Sequence, residues 1–174
     1  FPYPSLFRSN PAEGTVSVIA PNGTAVDRTV TVGAGPVEVA VTKDGTAFVT
    51  NQYDRTVSVI PAGANTVSRT IQVSSTPGRT ENPHGIAAGP DGTIYVTNIS
   101  SNHVAVIKPG ADTVAYRIYV PGGPTEAAVG PDGTLYVASA LSPALSVIPP
   151  GARTAGPSIP TESNPGHLAV APDG

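Results

Sequence analysis

Hydrophobic and polar positions alternate with a period of two along most of this chain, in runs of five to seven residues separated by Gly, Pro, Asn and Asp. One stretch shows the pattern in full: residues 85–89, 93–98, 103–108 and 114–120 each read as a half-buried strand. We call these runs A, B, C and D. The A to B link is Pro90-Asp91-Gly92 and the C to D link is Pro109-Gly110-Ala111-Asp112. Both links are short, polar and contain Gly, as hairpins require, so consecutive strands are predicted to pair antiparallel.

The block then recurs. Asp-Gly stands at 44–45, 91–92, 132–133 and 173–174, at intervals of 47, 41 and 41. The C strands that begin at Val16, Val57, Val104 and Leu145 repeat at 41, 47 and 41. The shared long interval places one six-residue insertion between Ile60 and Asp91, within 74–82, in the link from D of one unit to A of the next. Strand B keeps one aromatic per unit, Phe7, Phe48, Tyr95 and Tyr136, and Phe7 exposes an otherwise hidden B strand at 5–10. A column of one aromatic per unit reads as core filling between neighbouring units. In the last unit Pro157 and Pro160 flank Ile159, and proline cannot donate to a ladder, so D is placed at the outer edge and A innermost.

Four antiparallel strands per unit, repeated at about 41 residues with A central and D at the rim, predict an all-β fold of β-propeller blades. The repeat units read as 1–36 (strands B, C and D), 37–83, 84–124, 125–165 and 166–174 (strand A only), in one propeller domain or propeller segment. Twenty Pro, 19 Gly and only 12% charged residues in 174 fit many short strands and nearly exclude long helices. A net charge of −3 with no run of like charges gives no footprint for nucleic acid. No apolar run reaches the length of a membrane span, and no leader pattern precedes Phe1. The chain has no Met, which reads as a processed form or a piece of a longer protein. It has no Cys, so disulfides and thiolate metal sites are ruled out. The sequons at Asn22 and Asn98 are read as turn chemistry.

Tyr95-Val96-Thr97-Asn98, with Pro83, Gly85-Ile86-Ala87 and Pro90-Asp91-Gly92 ahead of it, resembles the repeat of the YVTN β-propeller family and, more distantly, NHL repeats. The likeness runs through nearly the whole chain. It weakens slightly at Phe48-Val49-Thr50-Asn51 and further at Tyr136-Val137-Ala138-Ser139, where the Asn expected to cap the B to C turn is lost. Such repeats imply an extracytoplasmic location, secreted, periplasmic or at the cell surface.

In a propeller the starts of the A strands, the B to C loops and the D to A links share one face, here called the upper face. The A to B and C to D turns share the lower face. Glu38, Gly85, Glu126 and His167 fall in one column of strand A, with His84 one residue earlier, so carboxylates and imidazoles are expected at the mouth of the central channel. Glu38, Glu126 and His167 are candidate ligands for a divalent cation, Ca or Mg. Propeller lactonases and streptogramin-type lyases are similar in outline. Tyr53, Asp54, Arg55 and His103 from the B to C loops, and Arg79 from the insertion, complete the set of candidate ligand-binding residues. Arg28 and Arg69 on strand D read as charges guarding an edge.

No nucleophile elbow, Walker loop, dinucleotide fingerprint or His-Glu-x-x-His occurs. The first expectation is therefore a non-enzymatic binding or scaffold module that holds a protein or glycan on its upper face. A metal-dependent lyase or lactonase and a surface-layer or filament component are the alternatives. Residues 167–171 read as the A strand that the first unit lacks. Pairing within the chain would close four blades, pairing between two chains would give an eight-bladed homodimer by strand exchange, and a longer chain would supply the strands itself.

Overall fold

A computed structural model describes residues 5–74 and 81–171. The strands in chain order are β1 (Leu6–Asn10), β2 (Thr15–Ile19), β3 (Arg28–Thr31), β4 (Pro36–Val41), β5 (Ala47–Asn51), β6 (Thr56–Ile60), β7 (Arg69–Gln72) and β8 (Pro83–Ala88). They continue as β9 (Ile94–Asn98), β10 (His103–Ile107), β11 (Tyr116–Tyr119), β12 (Pro124–Val129), β13 (Leu135–Ser139), β14 (Ala144–Ile148) and β15 (Ile159–Pro160). A short 3-10 turn, Ile99–Ser101, is the only helical element among the described residues. Described residues contain no helix long and apolar enough to cross a membrane.

The strands form one three-stranded and three four-stranded antiparallel sheets, ordered β1-β2-β3, β4-β5-β6-β7, β8-β9-β10-β11 and β12-β13-β14-β15. These are the expected blades, and the chain is a β-propeller repeat protein. The A strands start at Pro36, Pro83 and Pro124, where a missing N–H does no harm at the first residue of a strand. In the last blade D shrinks to Ile159–Pro160, as its prolines require.

Burial is concentrated between blades. Phe7, Val16, Val18 and Val30 pack against Val39, Val49 and Ile60. Phe48, Val57 and Ile71 pack against Ile86, Val96 and Ile107. Tyr95, Val104 and Ile118 pack against Leu135, Val137 and Ile148. The aromatic column therefore fills seams, as alternation along each strand dictates. The three seams join consecutive sheets, so the four blades form an open arc.

Two kinds of polar tie cross the seams. Ser9 Oγ donates to Val37 O at 2.7 Å, Thr50 Oγ1 to His84 O at 2.8 Å, and Thr97 Oγ1 to Thr125 O at 2.9 Å. The same hydroxyls of Thr50 and Thr97 accept from Glu38 N and Gly85 N within their own sheets. At the rim, Arg28 Nε donates to Ala64 O, Arg69 Nε lies 3.0 Å from Asp112 Oδ1 without an aligned hydrogen bond, and Arg153 lies over the Tyr116 ring. The strand D arginines, expected to guard an edge, thus reach the C to D turn of the next blade. Their reach follows from stagger between blades, which strand order alone does not disclose.

Residues 167–171, expected as the innermost strand of the first sheet, form no ladder with β1. Leu168 and Val170 are half-buried while His167 and Ala169 are exposed, the alternation of a strand without a partner. Sequon Asn98 is buried, with Nδ2 donating to Val96 O, so that asparagine is structural.

Candidate functional site

Strand A bends as it enters each four-stranded sheet. The register between A and B shifts between Pro36 and Val39, between Pro83 and Ile86, and between Pro124 and Glu126. A bulge re-aims side chains, and here it lets His84 join a column from which its number alone removes it by one residue. Gly85 holds the column position in its own blade because a Cβ there would strike Thr125 O, Thr97 Oγ1 and Glu126 Cα. Neighbouring A strands approach closely at that point.

The structure brings Glu38, His84, Glu126 and His167 together. Glu38 Oε2 accepts from Ile86 N at 2.9 Å across the seam between the second and third blades. Burial, then the negative charge of Glu126, push the Glu38 carboxyl up to about 7, and the Ile86 hydrogen bond only partly offsets them. His84 Nδ1 lies 3.1 Å from Thr125 O. A carbonyl only accepts, so Nδ1 carries the proton and Nε2 is left as the site of further bonding. Glu126 Oε1 lies 4.0 Å from His84 Nδ1 and 3.9 Å from His167 Nδ1. The Glu126 side chain is 13% exposed and that of His167 is 93% exposed. Solvent therefore screens the outer half of this group.

Among the described residues, no group of three or more His, Asp or Glu side chains is arranged to hold a metal ion. The expected ligands Glu38, Glu126 and His167 are neighbours, yet they do not form a ready coordination set.

The loop residues lie farther out on the same face. Tyr53 is 74% exposed, and a Cβ on Gly35 would lie 2.7 Å from its ring, so the ring rests flat on the D to A link. Asp54 Oδ2 accepts from Ala34 N at 2.7 Å, which spends one carboxylate oxygen on the link. Arg55 has φ of +59° and Asn102 has φ of +56°, the left-handed turn position that Gly14 holds in the first blade. Pro143 occupies this place in the last blade and cannot turn that way, so its loop is built differently and Leu141 stands 80% exposed. His103 bonds through Nδ1 with Ser101 O and meets Tyr119 edge to face at 5.6 Å. Arg79 lies outside the described residues.

Sequence reasoning missed four members of this face. Tyr119 and Leu141 are exposed apolar side chains there, at 59% and 80%. Thr50 and Thr97 organise the mouth by bonding both the bulge and the next blade. The signal for the threonines was present, since they are the third residue of the repeated motif. A cleft of about 520 Å³ on the lower face, between the second and third blades, is lined by Lys43, Asp44, Arg69 and Asp91. Its carboxylates are already committed to their own turns: Asp44 to Thr42 and Thr46, Asp91 to Thr93.

Residues 80–106 match the NHL repeat. None of the curated proteins matches the chain in sequence. Among solved structures, hydrazine synthase from Kuenenia stuttgartiensis is 27% identical with a TM-score of 0.79, covering 90% of this chain and 46% of that one. Virginiamycin B lyase from Staphylococcus aureus is 13% identical with a TM-score of 0.75, covering 91% and 53%. The dihydro-heme d1 dehydrogenase NirN, in complex with DHE, is 18% identical with a TM-score of 0.74, covering 91% and 35%. This chain therefore spans about half the length, or less, of the structures it resembles.

Proposed function

We propose that this propeller is a non-enzymatic, extracytoplasmic binding module that engages a glycan or protein partner through its upper face. One observation carries the reading: Tyr53, Tyr119 and Leu141 stand exposed on that face, farther out than the acid and imidazole group at the channel mouth. Flat aromatic rings beside hydrogen-bonding carboxylates suit the apolar faces and hydroxyls of sugars, and rigid aromatics are favoured anchors for proteins. Electrophoretic mobility in native gels containing soluble polysaccharides tests this. Retardation of the parent protein, lost in Tyr53→Ala and Tyr119→Ala and kept in Lys43→Ala on the lower face, is the expected result. Equal mobility of all four proteins in every gel, together with no tyrosine-dependent partner in a cross-linking screen, contradicts it.

The second reading is an enzyme acting at the channel mouth, favoured by a carboxyl raised to about 7 beside a second carboxylate and an imidazole whose tautomer is fixed. Such a pair can hold one proton and release it near neutrality. Two of the similar structures are named as a lyase and a dehydrogenase. Turnover of a streptogramin B by the parent protein, abolished in Glu38→Gln, would support this reading. Absence of turnover would count against the lyase form of it.

A further inference from the structure

Strand D fills the outer part of the first two seams differently. Arg117 on β11 stands opposite Ala105, and Thr70 on β7 stands opposite Ser58 at the same place in its own blade. Arg117 Nη2 crosses the seam between the second and third blades and donates to Val73 O at 2.9 Å. The counterpart of Val73 in the first blade is Val32, since each donates its N–H to the B to C loop of its own blade, Val73 to Arg55 O and Val32 to Gly14 O. Thr70 is too short to reach across to Val32 as Arg117 reaches to Val73.

Where that arginine is missing, a cleft of about 410 Å³ opens between the first and second blades. Thr31, Asp54, Thr56, Ser58 and Thr70 give it a polar lining beside Val32, and no Lys or Arg among the described residues lines it. Thr56 and Ser58 are 9% and 1% exposed, and Asn51 Nδ2 donates to both of their hydroxyl oxygens. A hydroxyl oxygen has two lone pairs, so each keeps one for a donor that enters the cleft. Asp54 spends Oδ2 on Ala34 N and adds a negative charge, which the neighbouring seam lacks because Ser101 holds that position. The cleft is therefore rich in acceptors whose places are fixed from behind.

We propose that this cleft binds a guanidinium group brought from outside the chain, in the place that Arg117 fills in the next seam. The Asp54 carboxylate and the Val32 carbonyl supply its negative poles, and the hydroxyls of Thr56 and Ser58 accept the remaining N–H groups. A guanidinium suits this set because it is planar, always charged and carries donors only, spread over a fork. Charge-assisted bonds of this kind are stronger than those a neutral sugar hydroxyl would make to the same acceptors. A cleft of this volume takes a whole arginine side chain. Tyr53, Tyr119 and Leu141 do not line it, so this site stands apart from the aromatic binding surface proposed above.

Backbone amide NMR of the whole chain tests this, with N-acetyl-arginine amide titrated through the millimolar range beside its neutral isostere, N-acetyl-citrulline amide. Saturable shifts at Thr31, Ser58 and Thr70 with the arginine compound, and none with the citrulline compound, are expected. Thr70→Arg should abolish the response, because the chain then supplies its own guanidinium as it does in the next seam. Asp54→Asn keeps an oxygen for Ala34 N but removes the charge, and should weaken binding about tenfold. Lys43→Ala on the lower face should leave binding unchanged. Methylguanidinium saturating as readily as the arginine compound would assign the cleft to a free guanidino compound, and tighter saturation by a Gly-Arg-Gly peptide would assign it to an arginine of a partner protein. Both results keep the guanidinium as the group bound. No saturable shift, equal shifts with the citrulline compound, or binding undiminished in both Thr70→Arg and Asp54→Asn overturns the proposal.

Discussion

Gly92 holds φ of +82° at the A to B turn, and Gly45 and Gly133 hold +83° and +87° at the same place. Gly92 N donates to Gly89 O, and Asp91 accepts from both the amide and the hydroxyl of Thr93, which draws its carboxyl below the usual range. A Cβ at Gly92 would meet only Pro109, at an ordinary 3.6 Å, so backbone conformation rather than space forbids a larger residue. Gly92→Val is expected to cost about 1 to 3 kcal/mol in urea unfolding, and Gly92→Asn distinctly less. Equal loss in both variants would mean that crowding governs the position. Glu38 supplies a second prediction at this scale. Its carboxyl is raised from 4.5 to about 7 in the folded chain, so the folded state holds the proton more tightly than the unfolded one. The stability this gives is complete below 4.5 and is lost as pH rises through about 7. Melting temperature should therefore fall over this window in the parent, and fall less in Glu38→Gln; parallel profiles would contradict the assignment.

At the level of the element, strand B joins the blades, because its fourth residue ties both its own bulge and the next blade. Thr97→Val keeps the shape and removes the hydroxyl that serves Gly85 N and Thr125 O. Leaving buried backbone groups unpaired should cost about 1 to 3 kcal/mol and speed amide exchange at Gly85. Unchanged exchange there would show that the hydroxyl is dispensable. The strands themselves were legible in sequence, since alternation, Asp-Gly turns and the 41-residue interval fix where they begin and how they pair. Strand B of the first blade was found from Phe7 alone, and it is observed as Leu6–Asn10. The bulges were not legible, because a single added residue leaves the hydrophobic alternation intact on either side. As a result His84 could be counted as a neighbour of the column, but its bond to Thr125 O could not be foreseen. The reach of Arg28 and Arg69 across seams was hidden for a related reason, as it depends on how sheets stagger and not on any one strand.

At the scale of the whole molecule, the arrangement of blades decides what the chain can do. Glu38 and Glu126 belong to the second and fourth blades, with a full blade between them, and they influence each other only if three successive A strands curve about one axis. The upper face gathers its chemistry by this curvature, whereas the lower face spends its aspartates on turns. Titration of the Glu38 side-chain carboxyl by carbon NMR tests that curvature most directly. A midpoint of about 7 is expected in the parent protein, moving downward in Glu126→Gln because one of its two causes has been removed. A midpoint near 4.5, unmoved by Glu126→Gln, would contradict it.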